Sequence, residues 1–219
     1  PCCHNPTGVD LTKEQWDSVL QIIKDKKLIA FMDIAYQGFG DDMTGDTYAI
    51  NKAAQMGLPL FVSNSFSKNL SLYGERVGGL SVVAPTKEEA QTVHGQLKFT
   101  IRRIYSSPAS HGNHVVDIVM NDEALYNQWV GEVYEMRDRI RLMRQKLQDI
   151  LSQKLPERDF SYFIKQRGMF SFTGLTAEQV ERLQKEFAIY MVSNGRMCLA
   201  GLNNKNIDYV ANSFAEVLK

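Results

Sequence analysis

Short apolar runs and amphipathic helical stretches take turns along the first hundred residues, and this alternation limits the fold more than any other feature. Leu28-Ile29-Ala30-Phe31-Met32, ending at Asp33, is short and apolar enough for a buried strand. So are Leu58-Pro59-Leu60-Phe61-Val62, which runs into Ser63-Asn64-Ser65, and Val77 to Ala84. Helical patterns lie around them. Thr12-Lys13-Glu14-Gln15 fits a capping box, after which Trp16, Val19, Leu20 and Ile23 recur on one helical face. Asp46 to Met56 reads as a second helix. Thr86 to Tyr105, with Val93, Leu97, Ile101 and Ile104 in one stripe, reads as a third. Such alternation predicts an α/β fold with a mostly parallel sheet and helices on its faces.

The pattern then changes. About Asn121 to Gln153 reads as one long charged helix with Trp129, Val133, Met136, Ile140 and Met143 along one side. Phe160-Ser161-Tyr162-Phe163-Ile164 and Met169-Phe170-Ser171-Phe172 read as strands. Thr176-Ala177-Glu178-Gln179 is a second capping box, opening a helix to about Phe187. Ile189 to Val192 and Arg196 to Leu199 read as short strands, and Ile207 to Leu218 as a closing helix. A domain boundary is expected inside the long helix, with residues 1–132 forming an α/β domain and 133–219 a smaller α+β domain.

Charge and cysteine usage narrow the function. Twenty-five Lys and Arg balance 25 Asp and Glu, which argues against a nucleic-acid or anionic-membrane partner. No apolar run approaches the roughly 18 residues of a membrane span. Three cysteines, two of them adjacent, write no disulfide framework, so an intracellular, reducing compartment is expected, either cytoplasm or an organelle matrix. Cys2, Cys3 and His4 lack a second ligand pair at zinc spacing, so no metal site is expected. Pro1-Cys2-Cys3-His4-Asn5-Pro6-Thr7-Gly8 reads as a loop from mid-protein, and an N-terminal part is expected to be missing.

Ligands of open α/β sheets sit beyond the carboxyl ends of the strands. There the sequence sets Asp33, with Tyr36 three residues on, then Ser65-Phe66-Ser67-Lys68, and Arg76 ahead of the next strand. A carboxylate, a phenol, hydroxyls, an amine and a guanidinium suit a cofactor with an aldehyde and a phosphate better than they suit hydrolysis. Ser65-x-x-Lys68 also satisfies the S-x-x-K pattern of acyl-serine enzymes, but their S-D-N and K-T-G partners do not occur.

The blocks His4-Asn5-Pro6-Thr7-Gly8, Asp33-Ile34-Ala35-Tyr36-Gln37-Gly38-Phe39, Ser65-Phe66-Ser67-Lys68-Asn69 and Leu72-Tyr73-Gly74-Glu75-Arg76-Val77-Gly78 resemble the signature blocks of aspartate aminotransferases, class I enzymes of fold type I that use pyridoxal phosphate. Gly168-Met169-Phe170-Ser171-Phe172 and Ser193-Asn194-Gly195-Arg196 resemble that family's C-terminal blocks, in the same order. The resemblance makes residues 1–132 the C-terminal part of the large cofactor domain and 133–219 the small domain. It implies that Lys68 forms the internal imine with the cofactor aldehyde and later moves the substrate Cα proton. Asp33 would pair with the pyridine N–H, Tyr36 and Asn5 would donate to the ring's phenolic oxygen, and Ser65 and Arg76 would hold the phosphate. Arg196, assisted by Asn5, would grip the substrate α-carboxylate.

Arg102 would read the side-chain carboxylate in the partner subunit of a homodimer, with Arg103 beside it as the rival for that role. The implied reaction is ping-pong transfer between aspartate or glutamate and 2-oxoglutarate or oxaloacetate. Two other readings stay open: an aromatic-amino-acid aminotransferase, and a catalytically silent, transaminase-like dimerisation module. The loop after Arg102 reads Ser107-Pro108-Ala109 where the family often has Asn-Pro-Pro.

Overall fold

The computed structural model describes residues 1–219. The chain divides into two compact units, Leu11–Val133 with Pro1, and Tyr134–Lys219 with Cys2–Asp10.

In the first unit, Thr12 caps helix α1 (Lys13–Asp25). Its hydroxyl accepts from the Gln15 amide at 3.2 Å while Gln15 Oε1 accepts from the Thr12 amide at 2.9 Å, so two otherwise orphaned donors are satisfied reciprocally. Strand β1 (Ala30–Ile34) pairs in parallel with β2 (Leu60–Ser65), and α2 (Tyr48–Gln55) lies between them in sequence. Strand β3 (Gly78–Val83) pairs with β2 antiparallel, so the sheet is mixed, in the order β1-β2-β3. The reason lies in the connection: residues 66–77 contain no crossover helix, and a parallel return needs one.

Strand β1 is buried on one face only. Ala30, Met32 and Ile34 are buried, whereas Phe31 is 70 % exposed. Asp33 shares the open face with Phe31 and is the fourth residue of the strand, one short of its end. Helix α3 (Lys87–Ile104) follows, capped by the Thr86 hydroxyl on the Glu89 amide at 3.1 Å. None of its residues is fully buried.

The expected long helix is one helix, and a shorter helix that the sequence pattern did not mark precedes it. Helix α4 (His111–Asn121) ends at Asp122, and α5 (Glu123–Lys154) begins after it. Asp122 is extended, and its carboxylate accepts from the Leu125 amide at 2.9 Å, which caps the second helix and breaks the first.

In the second unit, Met143, Leu147 and Leu151 of α5 are buried, as are Phe163, Leu183, Leu199, Ile207 and Phe214. The Phe160–Ile164 stretch is not a strand but contains the one-turn helix α6 (Tyr162–Lys165). Phe160 and Phe163 are three apart and both buried, which is a helical spacing. Strand β4 (Phe170–Phe172) pairs antiparallel with β5 (Arg196–Cys198). Helix α7 (Ala177–Phe187) carries the expected capping box on Thr176, and α8 (Ile207–Leu218) closes the chain. Ile189–Val192 joins no sheet. No helix is long and apolar enough to cross a membrane.

The segment Cys2–Asp10 groups with the second unit, not with the α/β unit that follows it. The Arg167 amide donates to the Gly8 carbonyl at 2.7 Å, and Gly168 packs directly on Cys3.

Candidate active site

The first unit builds its polar site at one edge of the sheet. Register sets Asp33 opposite Ser63, and Ser65 opposite Gly78. The carboxyl ends of β1 and β2 and the start of β3 therefore lie side by side. Ser63 Oγ donates to Asp33 Oδ1 at 2.8 Å across the strands. Ser65 is the last residue of β2, and its hydroxyl accepts from the Ser67 amide at 3.2 Å.

The loop from Phe66 to Val77 leaves this edge and returns to it. Its base is closed by the Phe66 amide on the Val77 carbonyl at 3.3 Å. Lys68 sits on its first turn, half-buried, with Nζ 5.1 Å from the centre of the Tyr36 ring and 5.9 Å from that of Tyr73. Arg76 lies two residues before β3 in the left-handed region, φ 52°. Its Nη1 donates to the Tyr73 carbonyl at 2.9 Å.

Three contacts fix this loop. Trp129 Nε1 on α5 donates to the Asn69 carbonyl at 2.7 Å, next to Lys68. Gly112 at the start of α4 lets that helix close on Glu75 and Val77, where a Cβ would stand 2.8 Å from the Glu75 Cβ. At Gly78 a Cβ would stand 2.5 Å from the Asn64 carbonyl oxygen, so only glycine lets β3 start this close to β2.

Tyr36 is buried and opens the turn after β1. That turn wraps the buried carboxylate of Asp46, which accepts from the amides of Gly38 at 2.8 Å, Gly40 at 3.0 Å and Asp41 at 2.7 Å. Burial raises the Asp46 pKa, and the three backbone donors oppose the shift.

The second unit builds a separate cluster. Arg196 Nη1 donates to Asn5 Oδ1 at 3.1 Å, and its guanidinium lies 4.9 Å from the centre of the Phe170 ring. These residues are far apart in sequence and meet because Arg196 opens β5, Phe170 opens β4, and the segment bearing Asn5 packs on residues 166–170. Arg102 is in neither cluster: it stands in the last turn of α3 and donates to the Ser106 hydroxyl. Arg103 stacks on Phe99 at 5.3 Å.

Sequence reasoning thus named Asp33, Tyr36, Ser65, Lys68 and Arg76 in one unit and Asn5 and Arg196 in the other. It missed Ser63, Tyr73, Asp46, Trp129 and Phe170 as their supports. Ser63 was findable from strand pairing with Asp33, and Asp46 from the glycines six and eight residues before it; nothing local marks Trp129 or Phe170.

An amine facing two aromatic rings, on a sheet edge that also carries a carboxylate, a hydroxyl and a guanidinium, can do carbonyl chemistry on an anionic ligand. Comparison with known proteins agrees with that chemistry. Residues 1–214 match the family model described as aminotransferase class I and II. The aromatic-amino-acid aminotransferase of Escherichia coli (strain K12) is 59 % identical over 218 residues, covering 100 % of this chain and 55 % of that relative. The aspartate aminotransferase of Pseudomonas aeruginosa is 51 % identical, covering 99 % and 54 %.

The solved structure of a psychrophilic aromatic amino acids aminotransferase from Psychrobacter sp. B6, cocrystallised with aspartic acid, is 72 % identical with a TM-score of 0.99, covering 100 % of this chain and 55 % of that one. That of an aromatic-amino-acid aminotransferase from Burkholderia pseudomallei, covalently bound to pyridoxal phosphate, is 53 % identical with a TM-score of 0.97, covering 100 % and 55 %. The chain spans about half the length of the curated relatives it matches.

Proposed function

This chain belongs to the class I and II aminotransferases and has their fold-type I architecture, and on that premise we propose that the protein carrying it is a pyridoxal-phosphate-dependent transaminase. The observation that carries the reading is the sheet edge where Asp33, Ser65, Lys68 and Arg76 are gathered by strand register, with the Tyr36 ring 5.1 Å from the lysine amine. The donor set fits the cofactor: an amine for its aldehyde, a carboxylate for its ring nitrogen, a hydroxyl and a guanidinium for its phosphate.

Pyridoxal phosphate supplies an aldehyde that takes up amino groups and a protonated ring that accepts the electrons of a broken Cα–H bond. The chain does the rest. Lys68 Nζ holds the cofactor until substrate arrives and then carries the proton that leaves the substrate Cα. Asp33 keeps the ring nitrogen protonated, and Ser63 orients that carboxylate. Tyr36 donates its hydroxyl to the ring oxygen. Arg76 and Ser65 would hold the phosphate, for which a planar guanidinium is well suited. Arg196, with Asn5 against it, takes the α-carboxylate common to every amino acid and 2-oxo acid.

The amino donors proposed are aspartate, glutamate and the aromatic amino acids, with 2-oxoglutarate or oxaloacetate as acceptors. Relatives named for both kinds of substrate support this breadth. Arg102 reads the distal carboxylate from the partner subunit of a homodimer.

Borohydride reduction of the protein with pyridoxal phosphate, followed by peptide mass mapping, is the direct test. One adduct at Lys68 is expected; scattered labelling or none refutes the reading and favours a silent module. Arg102→Ala then addresses the substrate. Loss of a buried charge partner costs on the order of 2–5 kcal/mol, so activity on aspartate should fall at least about thirtyfold while activity on phenylalanine persists. Equal loss on both would remove Arg102 from side-chain recognition.

A further inference from the structure

The second unit buries a cation that no carboxylate neutralises. Arg144, on α5, is 3 % exposed. Burial lowers its pKa to about 10, so it remains charged at neutral pH. All four terminal N–H groups are used. Nη1 donates to the Phe163 carbonyl at 2.9 Å and to Ser171 Oγ at 2.6 Å. Nη2 donates to the Gly168 carbonyl at 2.7 Å and to the Phe170 carbonyl at 2.8 Å. Only Nε is left without a partner. Burying a guanidinium with no carboxylate partner is costly, and a hydrocarbon side chain would fill a core more cheaply.

What it holds explains its presence. The four acceptors span Phe163 to Ser171, the turn from α6 into β4. The two groups that touch the Arg196 guanidinium, Phe170 and Asn5, are registered on that stretch. The Phe170 ring lies against the Arg196 guanidinium, and Phe172 pairs with Arg196 across the ladder. Gly168 meets Cys3 so closely that a Cβ would stand 2.5 Å from the Cys3 Cβ. The Arg167 amide binds the Gly8 carbonyl, and a Cβ on Gly8 would stand 2.5 Å from the Phe170 carbonyl oxygen. Those contacts seat the segment that carries Asn5, whose side chain accepts from Arg196.

We propose that Arg144 is a positioning residue of the carboxylate clamp, fixing residues 163–171 so that Phe170 and Asn5 hold Arg196 in one orientation; this rests on the transaminase reading above. Because the α-carboxylate is common to every substrate, Arg144 affects all of them alike.

The experiment uses the full-length holoenzyme and Arg144→Lys, which keeps the charge but cannot serve four acceptors from one plane. Titration calorimetry with two carboxylates that carry no amino group, succinate and 3-phenylpropanoate, gives dissociation constants apart from turnover. Both should rise about tenfold. The KM values for aspartate, phenylalanine and 2-oxoglutarate should rise by the same factor, with kcat within about threefold and the pH titration of the cofactor's visible absorbance unmoved.

A lowered melting temperature with unchanged dissociation constants overturns the proposal. So does a change confined to the dicarboxylates, or a shifted cofactor titration. If Arg144→Lys does not fold, Ser171→Ala removes a single acceptor, and a weakening of about threefold on both carboxylates is expected; no change there overturns it. Arg196→Lys separates the two readings: if that variant binds both carboxylates as well as wild type does, the transaminase assignment of Arg196 has failed, whatever Arg144 does.

Discussion

Two glycines in the second unit have nearly the same backbone and opposite surroundings. Gly168 has φ 75° and Gly174 has φ 74°. An alanine Cβ at Gly174 would meet nothing within 4 Å. At Gly168 it would stand 2.5 Å from the Cys3 Cβ, 2.9 Å from its Sγ and 3.2 Å from its Cα. Gly174→Ala therefore carries only the left-handed backbone cost of about 1–2 kcal/mol, partly offset by the stiffer unfolded chain. Gly168→Ala adds the cost of overpacking, about 1–3 kcal/mol, because the Cys3 backbone cannot step aside as a flexible side-chain tip can.

The expected losses are thus about 1 kcal/mol for Gly174→Ala and about 2–4 kcal/mol for Gly168→Ala. Urea unfolding followed by far-ultraviolet circular dichroism suits the comparison, since Trp16 and Trp129 both lie in the first unit and would not report on the second. Cys3→Gly closes the cycle. Cys3 itself has φ 54°, so glycine there relieves backbone strain while giving up a buried side chain, and the net effect should be small. In that background most of the steric penalty should vanish, leaving a coupling of about 1–2 kcal/mol between the sites. Equal destabilisation by the two alanines, within about 0.5 kcal/mol, would refute the claim that Cys2–Asp10 is seated by this contact.

Asp46→Asn should destabilise by about 1–3 kcal/mol, since one amide oxygen cannot replace a carboxylate that accepts from three amides. The folded Asp46 pKa lies above its ordinary 3.8, so the folded state binds more protons between those values and stability falls as pH rises through that window. Urea midpoints across acid pH should show this slope in wild type and lose it in the variant. Trp129→Phe deletes the bond to the Asn69 carbonyl at a cost of about 0.5–1.5 kcal/mol plus any packing loss, and it should slow borohydride-trapped labelling of Lys68; unchanged labelling would mean that α5 does not fix this loop. Tyr162→Phe removes a hydroxyl that donates to the Thr173 carbonyl at 3.0 Å. Burial pushes that phenol up to about 12, so wild type should lose stability between pH 10 and 12 and the variant should not.

The elements that were legible in the sequence are those whose reasons are local. Both capping boxes and the helices they open need only a hydroxyl and a glutamine three residues apart, and the strand at Leu58 needs only its apolar run. The misread stretches depended on how the folded chain pairs and connects. The sense of β3 was decided by the absence of a crossover helix. Lys68, Asp33 and Arg76 were legible because they stand at strand ends, where the chain must turn and ligands gather. Asp46, Trp129, Arg144 and Phe170 were not, because each acts through bonds that only the folded chain brings together.

Lys68, Arg76 and Arg196, the basic groups proposed to meet the cofactor aldehyde, its phosphate and the substrate α-carboxylate, are held by aromatic faces and neutral oxygens. Lys68 faces the rings of Tyr36 and Tyr73, Arg76 binds the Tyr73 carbonyl, and Arg196 lies on Phe170 and binds an amide oxygen. None is in an ion pair with a carboxylate. A carboxylate partner would orient these groups more firmly, but an incoming phosphate or carboxylate would then have to displace it, and a desolvated charge pair is worth several kcal/mol. An aromatic face orients a cation for about 0.5–1 kcal/mol and takes none of its donors. The firm anchoring is moved one layer back, to the buried charges Asp46 and Arg144, whose partners are backbone amides, carbonyls and one hydroxyl. Replacing Phe170 by Glu should therefore tighten the hold on Arg196 yet weaken carboxylate binding, whereas Phe170→Leu, which loses only the ring face, should weaken it far less.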